Sequence, residues 1–346
     1  MPKKVTIQDI ADALGISRNT VSKAINNSEG LADATRERIL QKAVEMGYKQ
    51  FSYVGSLANA QSASENPAEP PVYQGQIALL TTVFLNNSHF ASLMLDKFQR
   101  ELAQMGYTLN THRITKKDLA DRTLPITFQP QQTSAVICIE MFDYEYGEML
   151  CGLGLPVLFV DGPAKCSGLS LPADQLYMDN TNGITQFVYD MRRRGFRRFG
   201  FVGNYDHCQS FFERYTAFRV ATIMQNAEVR EEHCIHYLDP RQIKQKLVEL
   251  DELPEVFVCA NDFVAVDLVR ALGELGKRVP EDVRVCGFDD SAESRHNDPP
   301  LTTIHIHTQI MAFSAMHLLM SRIRQPSLDY RTVYTETELI YRESTR

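Results

Sequence analysis

From Gln76 to the last residues, short apolar runs alternate with amphipathic stretches, and few folds accommodate that pattern. The run 77–80 precedes a helical pattern over 90–105, and 134–139 precedes one over 143–152. A run at 156–160 is followed by a helix at 181–194 and a strand at 199–202. The order continues with a helix at 211–226, a strand near 234–238, a helix at 240–250 and a strand at 256–259. A helix at 262–275, strands at 283–286 and 302–306, a helix at 308–323 and a final strand at 332–341 complete it. Uninterrupted apolar strands are buried on both faces, so helices must cover both sides of parallel sheets. There are too many units for one sheet, and two Rossmann-like lobes are the natural solution.

In such sheets, ligands sit beyond the carboxyl ends of the strands. Polar residues collect at those ends here: Asn86 to Phe90 after the first strand, Asp161 after 157–160, Asn261 and Asp262 after 256–260, and Asp289 and Asp290 after 285–288. Taken singly, each reads first as a loop or helix-capping residue. Their recurrence at one end of several strands points to a polar cleft between the lobes.

The N-terminal 47 residues follow another period. Thr6 and Asp9 form a capping box, and Ile7, Ile10, Ala11 and Leu14 give a short helix one apolar face. Gly15 stops it, because glycine takes a left-handed turn without strain. Ser17 caps a second helix that buries Val21, Ala24 and Ile25 and leaves Arg18, Asn19, Ser22 and Lys23 outside. Small Ala11 at the crossing makes the pair a helix-turn-helix. Arg and Lys donate to guanine, and Asn pairs bidentately with adenine, so the outer face suits a major groove. A third helix after Asp33, with Ile39, Leu40, Ala43, Val44 and Met46 on one side, closes the core, ends at Gly47, and leaves Arg36, Arg38 and Lys42 on its surface.

The segments Val5-Thr6-Ile7, Asp9-Ile10-Ala11, Leu14-Gly15-Ile16-Ser17, Thr20-Val21-Ser22-Lys23 with Asn26, Thr35-Arg36, Arg38-Ile39 and Gly47-Tyr48 together resemble the headpiece of the LacI/GalR repressors. Arg214 with Phe218, Asn261 with Asp262 and Ala265, and the passage from Gly276 to Asp290 resemble further segments of that family, so the likeness runs through nearly the whole chain. The resemblance implies a periplasmic-binding-protein-like α/β core of two Rossmann-like lobes carrying an N-terminal all-α helix-turn-helix headpiece. It implies base reading by Arg18, Asn19 and Lys23, with phosphates held by Thr6, Ser17, Ser22, Asn26 and Thr35. Leu57 stands where family members wedge a hinge leucine into the minor groove, although the usual proline after the tyrosine and the basic hinge residues are missing. Arg214, Asn261 and Asp289 are the implied effector contacts, with Asp161, Asn87 and Phe90 beside them. Carboxylates, a carboxamide and a guanidinium pair with vicinal hydroxyls, and an aromatic ring such as Phe90 or Phe211 covers an apolar sugar face.

The expected division is a headpiece and hinge over 1–58, a Pro/Ser/Ala-rich linker over 59–75, and a core over 76–346. Within the core, the N-lobe is expected over about 76–162 and 293–325, and the C-lobe over about 163–292 and 326–346. The expected partners are double-stranded operator DNA, a sugar or related small-molecule effector, and a second copy in a homodimer, with no cofactor, metal or membrane. The net charge of −7 hides an uneven distribution: residues 1–60 carry 8 basic and 6 acidic side chains, leaving the remainder at −9. A basic head on an acidic body fits DNA binding at one end only. Seven scattered cysteines without a C-x-x-C pair, and no apolar leader or span, fit a cytoplasmic protein. No G-x-S-x-G elbow, phosphate loop or H-E-x-x-H motif occurs, and adjacent Asp289 and Asp290 point apart, so catalysis is not expected.

Overall fold

In the computed structural model the described residues are 5–25, 31–46, 48, 73–82, 89–164, 170–236 and 239–346. The head consists of α1 (Ile7–Leu14), α2 (Arg18–Ile25) and α3 (Asp33–Glu45). Thr6 and Asp9 form the capping box as its spacing predicts, and Gly15 ends α1 at φ 66°. Ser17 caps α2 by accepting from the Thr20 amide at 3.1 Å. Ile10, Ala11, Val21, Ala24, Ile25, Ile39, Leu40 and Ala43 are buried together, which closes a small three-helix core.

Among the described residues the body has a six-stranded sheet, a four-stranded sheet and a two-stranded pair. The first is parallel throughout, built from β1 (Gly75–Thr81), β2 (Tyr107–Arg113), β3 (Thr133–Ile139), β4 (Val157–Val160), β5 (Asp174–Met178) and β11 (Thr332–Thr335) in the order β11-β5-β4-β3-β1-β2. Its helices include α4 (His89–Gln104), α5 (Lys116–Asp121), α6 (Tyr144–Cys151) and α12 (Thr308–Arg324). The second sheet runs β7-β6-β8-β9, from β6 (Phe199–Val202), β7 (Cys234–Ile235), β8 (Val256–Cys259) and β9 (Arg284–Cys286). Around it lie α7 (Asn182–Arg193), α8 (Gln209–Met224), α9 (Pro240–Glu249), α10 (Asp262–Glu274) and α11 (Ala292–His296). β10 (Thr303–Ile306) continues that sheet through parallel bridges from Cys286 to Thr302 and from Asp289 to His305, and pairs with antiparallel β12 (Thr337–Ile340).

The lobe boundaries differ from the sequence division. The expected C-lobe span 163–292 includes β5, yet β5 pairs with β4 and β11 in the N-lobe sheet. Its run begins with Asp174, which is 1 % exposed and neutralised by Arg322 and Arg331, so no apolar signature marks it. The expected N-lobe span 293–325 includes β10, which instead bridges to the edge of the C-lobe sheet. The single final strand expected at 332–341 is two strands, one in each lobe, separated at Glu336. The chain therefore crosses between lobes three times, at 179–181, at His307 and at Glu336. The first and third crossings are tied together: the Asp179 amide donates to the Thr335 carbonyl at 2.7 Å, and the Thr337 hydroxyl donates to the Asp179 carbonyl at 2.9 Å.

Candidate effector cleft and nucleic-acid interface

The cleft is built where strands of both sheets end. Asp161 follows β4, and Asp289 lies beyond β9. Arg214 is the sixth residue of α8, whose first turn points at the first lobe. The Gln209 amide donates to the Gly162 carbonyl at 3.1 Å, and the Ser210 hydroxyl donates to Asp161 Oδ1 at 2.9 Å. These bonds join the lobes.

Arg214 is 2 % exposed and fully committed in direction. Its Nε donates to Asn180 Oδ1 at 2.9 Å, and its Nη1 donates to the Ala260 carbonyl at 2.7 Å. Nη1 also lies 3.6 Å from Asp289 Oδ1, and the guanidinium covers the Phe288 ring at 3.5 Å from its centroid. Such a fork is held at one angle, as planar recognition of hydroxyls requires. Burial pushes Asp161 up to about 6 and Asp289 up to about 8, with Arg214 acting against both shifts. Asp161 sits at φ 53° and Asp289 at φ 114°, backbone values costly for residues other than glycine. Strain of that kind collects at ligand sites.

Four of the expected effector residues, Asp161, Arg214, Asn261 and Asp289, lie at this end of the sheets. Asn261 is partly used already, because its Oδ1 accepts from the Val264 amide at 3.0 Å as the cap of α10. Asn87 lies outside the described residues; Phe90 falls in the first turn of α4, and its side chain is also outside them. Asp262 and Asp290 serve the scaffold, although neither caps a helix: Asn261 caps α10 and Ser291 caps α11. Buried Asp262 accepts from the Ser291 amide at 2.7 Å and the Thr303 hydroxyl at 2.6 Å. Asp290 binds Arg295, Arg342 and His305, and these hydrogen bonds outweigh its burial and hold it well below the usual carboxylate range. His305 and His307 are buried, His305 within β10 and His307 leading into α12.

Asn180, Ser210 and Glu213 were missed by the sequence reading. The Asn180 amide donates to Glu213 Oε2 at 2.7 Å, and Tyr334 donates to Glu213 Oε1 at 2.7 Å. Asn180 follows β5, so the strand-end rule would have found it had that strand been recognised. Phe142 of the first lobe meets His207 of the second at 4.7 Å between ring centroids, and His207 meets Phe211 at 5.6 Å. These rings bridge the two lobes.

On the head, Arg18, Asn19 and Lys23 are exposed along α2. Ser22 and Thr35 are half-buried. Thr6 and Ser17 both cap helices, so their hydroxyls are engaged locally and the amides of those helix N-termini face outward beside them. Asn26 and Leu57 lie outside the described residues. Among the described residues, no helix is long and apolar enough to cross a membrane.

A helix-turn-helix head on a two-lobed body with a polar cleft defines a ligand-responsive, DNA-binding regulator. Residues 6–50 match the family model described as bacterial regulatory proteins, lacI family, and residues 188–345 match the periplasmic binding protein-like domain. The chain is 29 % identical to the HTH-type transcriptional regulator GalR of Lacticaseibacillus casei, over 98 % of this chain and 99 % of that one. It is 26 % identical to the regulator CelR of Thermobifida fusca, over 99 % and 98 % of the two chains. Its fold resembles a CelR–cellobiose complex with a TM-score of 0.68 at 23 % identity, over 99 % of this chain and 100 % of that one. It also resembles the lac repressor dimer bound to operator and the anti-inducer ONPF, with a TM-score of 0.65 at 20 % identity and 99 % coverage of both chains. The head is thus a lacI-family regulatory domain and residues 188–345 a periplasmic binding protein-like domain, and the relatives that span the chain are named as transcriptional regulators.

Proposed function

We propose that this chain is a cytoplasmic repressor of carbohydrate-metabolism genes that binds a pseudo-palindromic operator as a homodimer. A sugar or related small molecule sits between the lobes. Arg18, Asn19 and Lys23 read bases, while Ser22, Thr35 and the capped helix starts at Thr6 and Ser17 hold phosphates, with Asn26 and Leu57 completing the contact. Asp161, Arg214, Asn261 and Asp289 bind the effector, with Asn87 and Phe90 as further contacts.

The observation that carries this reading is Arg214, a buried guanidinium oriented by Asn180 and Ala260 beside Asp289 where the two lobes meet. Acceptors and donors fixed at one spacing suit vicinal hydroxyls, and the rings of Phe142, His207 and Phe211 suit the apolar face of a pyranose. A ligand touching both lobes favours one lobe arrangement, and it shifts DNA affinity only by its differential affinity for the two, typically about 1–3 kcal/mol.

A gel shift with the neighbouring promoter DNA, with and without a sugar panel, tests the reading. Wild-type protein releases or tightens on DNA with one sugar. Arg214→Ala and Asp289→Ala keep operator binding and lose that response. A full response in folded variants of both kinds would refute the cleft assignment.

A further inference from the structure

The head packs against the body. Ile310, in the first turn of α12, is 7 % exposed and is buried with the core of the head, not with the core of the body. Phe313, three residues on, packs against the same cluster. Positions three apart share one side of a helix, so Ile310 and Phe313 form one apolar face of α12. Met311, Ala312 and Ala315 are buried in the body instead. The start of α12 is thus shared between head and body.

Tyr48, which follows α3, reaches the same region. Burial raises its phenol above the ordinary range, and Glu338 and Glu336 raise it further. Glu336 separates β11 from β12, and Glu338 pairs with His305 across β12 and β10. His307 directly precedes α12. His307 and Glu336 are two of the three crossings between lobes, so the head rests where the positions of both lobes are felt. Arg18, Asn19 and Lys23 stay exposed, so the head makes this contact through its core side and not through its recognition face.

We propose that this contact is a resting seat for the head, coupled to the lobes through the crossings, and that promoter DNA must draw the head off it. Operator half-sites fix two heads about one helical turn apart, whereas the seat fixes a head to the crossings of a body. The two placements compete, and the seated fraction lowers the apparent affinity for DNA. A rearrangement of the lobes displaces the crossings and the seat with them. This inference rests on the DNA-reading role of the head, and its coupling to the lobes rests on the cleft reading.

The chain has no tryptophan, so Phe313→Trp in the full protein places a single fluorescent reporter in the seat. Acrylamide quenching of that indole is expected to be weak in the free protein and to rise when saturating promoter duplex is bound. With Ile310→Asp added, quenching should be high from the start and should not rise further. Strong quenching in the free protein, or no rise on bound DNA, would overturn the seat. Independently, Ile310→Ser should bind the duplex about threefold or more tighter than wild type, the factor for a head seated two-thirds of the time. Equal affinity in a folded variant would overturn the competition. A sugar that stabilises the full chain in a thermal-shift panel should also change the quenching, and an unchanged value would overturn the coupling to the lobes. Failure of every sugar to stabilise the chain would count against the cleft reading and the coupling, and the quenching still decides the seat. Failure of every promoter duplex to bind would overturn the DNA-reading role and the competition together.

Discussion

Ser210 and Asp161 join the two lobes across the cleft, the Ser210 hydroxyl donating to Asp161 Oδ1 at 2.9 Å and its amide reaching the same oxygen at 3.3 Å. Asp161 is 8 % exposed, so the pair supplies hydrogen bonds that water cannot readily replace. Ser210→Ala removes the hydroxyl donor from a buried carboxylate, which costs about 1–3 kcal/mol. The expected result is a lower unfolding midpoint in urea, together with weaker effector binding, because the same bond holds the lobes closed. A variant with wild-type effector affinity would show that closure does not depend on this contact.

Asp289 gives the ligand-free protein a pH dependence of definite sign. Its folded value is raised from 3.8 to about 8, with burial the largest cause. The folded protein therefore holds this proton more tightly than the unfolded chain does. Its contribution to stability falls as pH climbs from about 4 to about 8 and is level beyond. Asp161, raised to about 6, adds the same sign over the lower part of that window. Asp289→Asn should therefore melt higher than wild type above pH 8 and close to it near pH 4, as read by scanning calorimetry. An offset equal at both ends would mean that the carboxyl does not titrate as described.

Asp290 has the opposite sign. Its carboxylate is held low by His305, Arg295 and Arg342, so its stabilisation is present above the ordinary aspartate range and is lost as pH falls below it. Asp290→Ala leaves two guanidinium groups without their shared partner, a loss of about 3–5 kcal/mol for a buried charged network. Chemical denaturation at pH 7 measures it. A loss under about 1 kcal/mol would place this cluster among ordinary surface pairs.

On the DNA side, Arg18→Ala should relax preference at one base position by about 1–3 kcal/mol. Lys23→Ala should act at a different position. Competition gel shifts with single-base operator variants separate the two. Unchanged preference in either variant removes that residue from the reading set.

Much of this was legible in the chain. The headpiece rests on local rules, the Thr6–Asp9 box, the left-handed Gly15 and the Ser17 cap, and local rules survive transfer to structure intact. Strands such as β3, β4 and β8 showed themselves because both faces are buried. β2 and β5 did not: Tyr107 to Arg113 alternates polar and apolar at a sheet edge, and β5 opens on the buried charge of Asp174. Losing β5 moved a lobe boundary and hid Asn180. The roles of Ser210 and Glu213 depend on contacts between segments distant in sequence, which no local period encodes. Asp290 and Asn261 look alike as polar strand-end residues, and only their partners separate a hub binding Arg295, Arg342 and His305 from a helix cap.

The central claim is that the head reads DNA and the cleft governs it. Fluorescence anisotropy of the full chain on labelled promoter DNA, titrated with the stabilising sugar, tests it most directly. Sequence-specific, salt-sensitive binding that shifts with the sugar in wild type, persists without the shift in Asp289→Ala, and weakens in Arg18→Ala is predicted. Folded dimeric protein showing no sequence preference at any sugar concentration would contradict it.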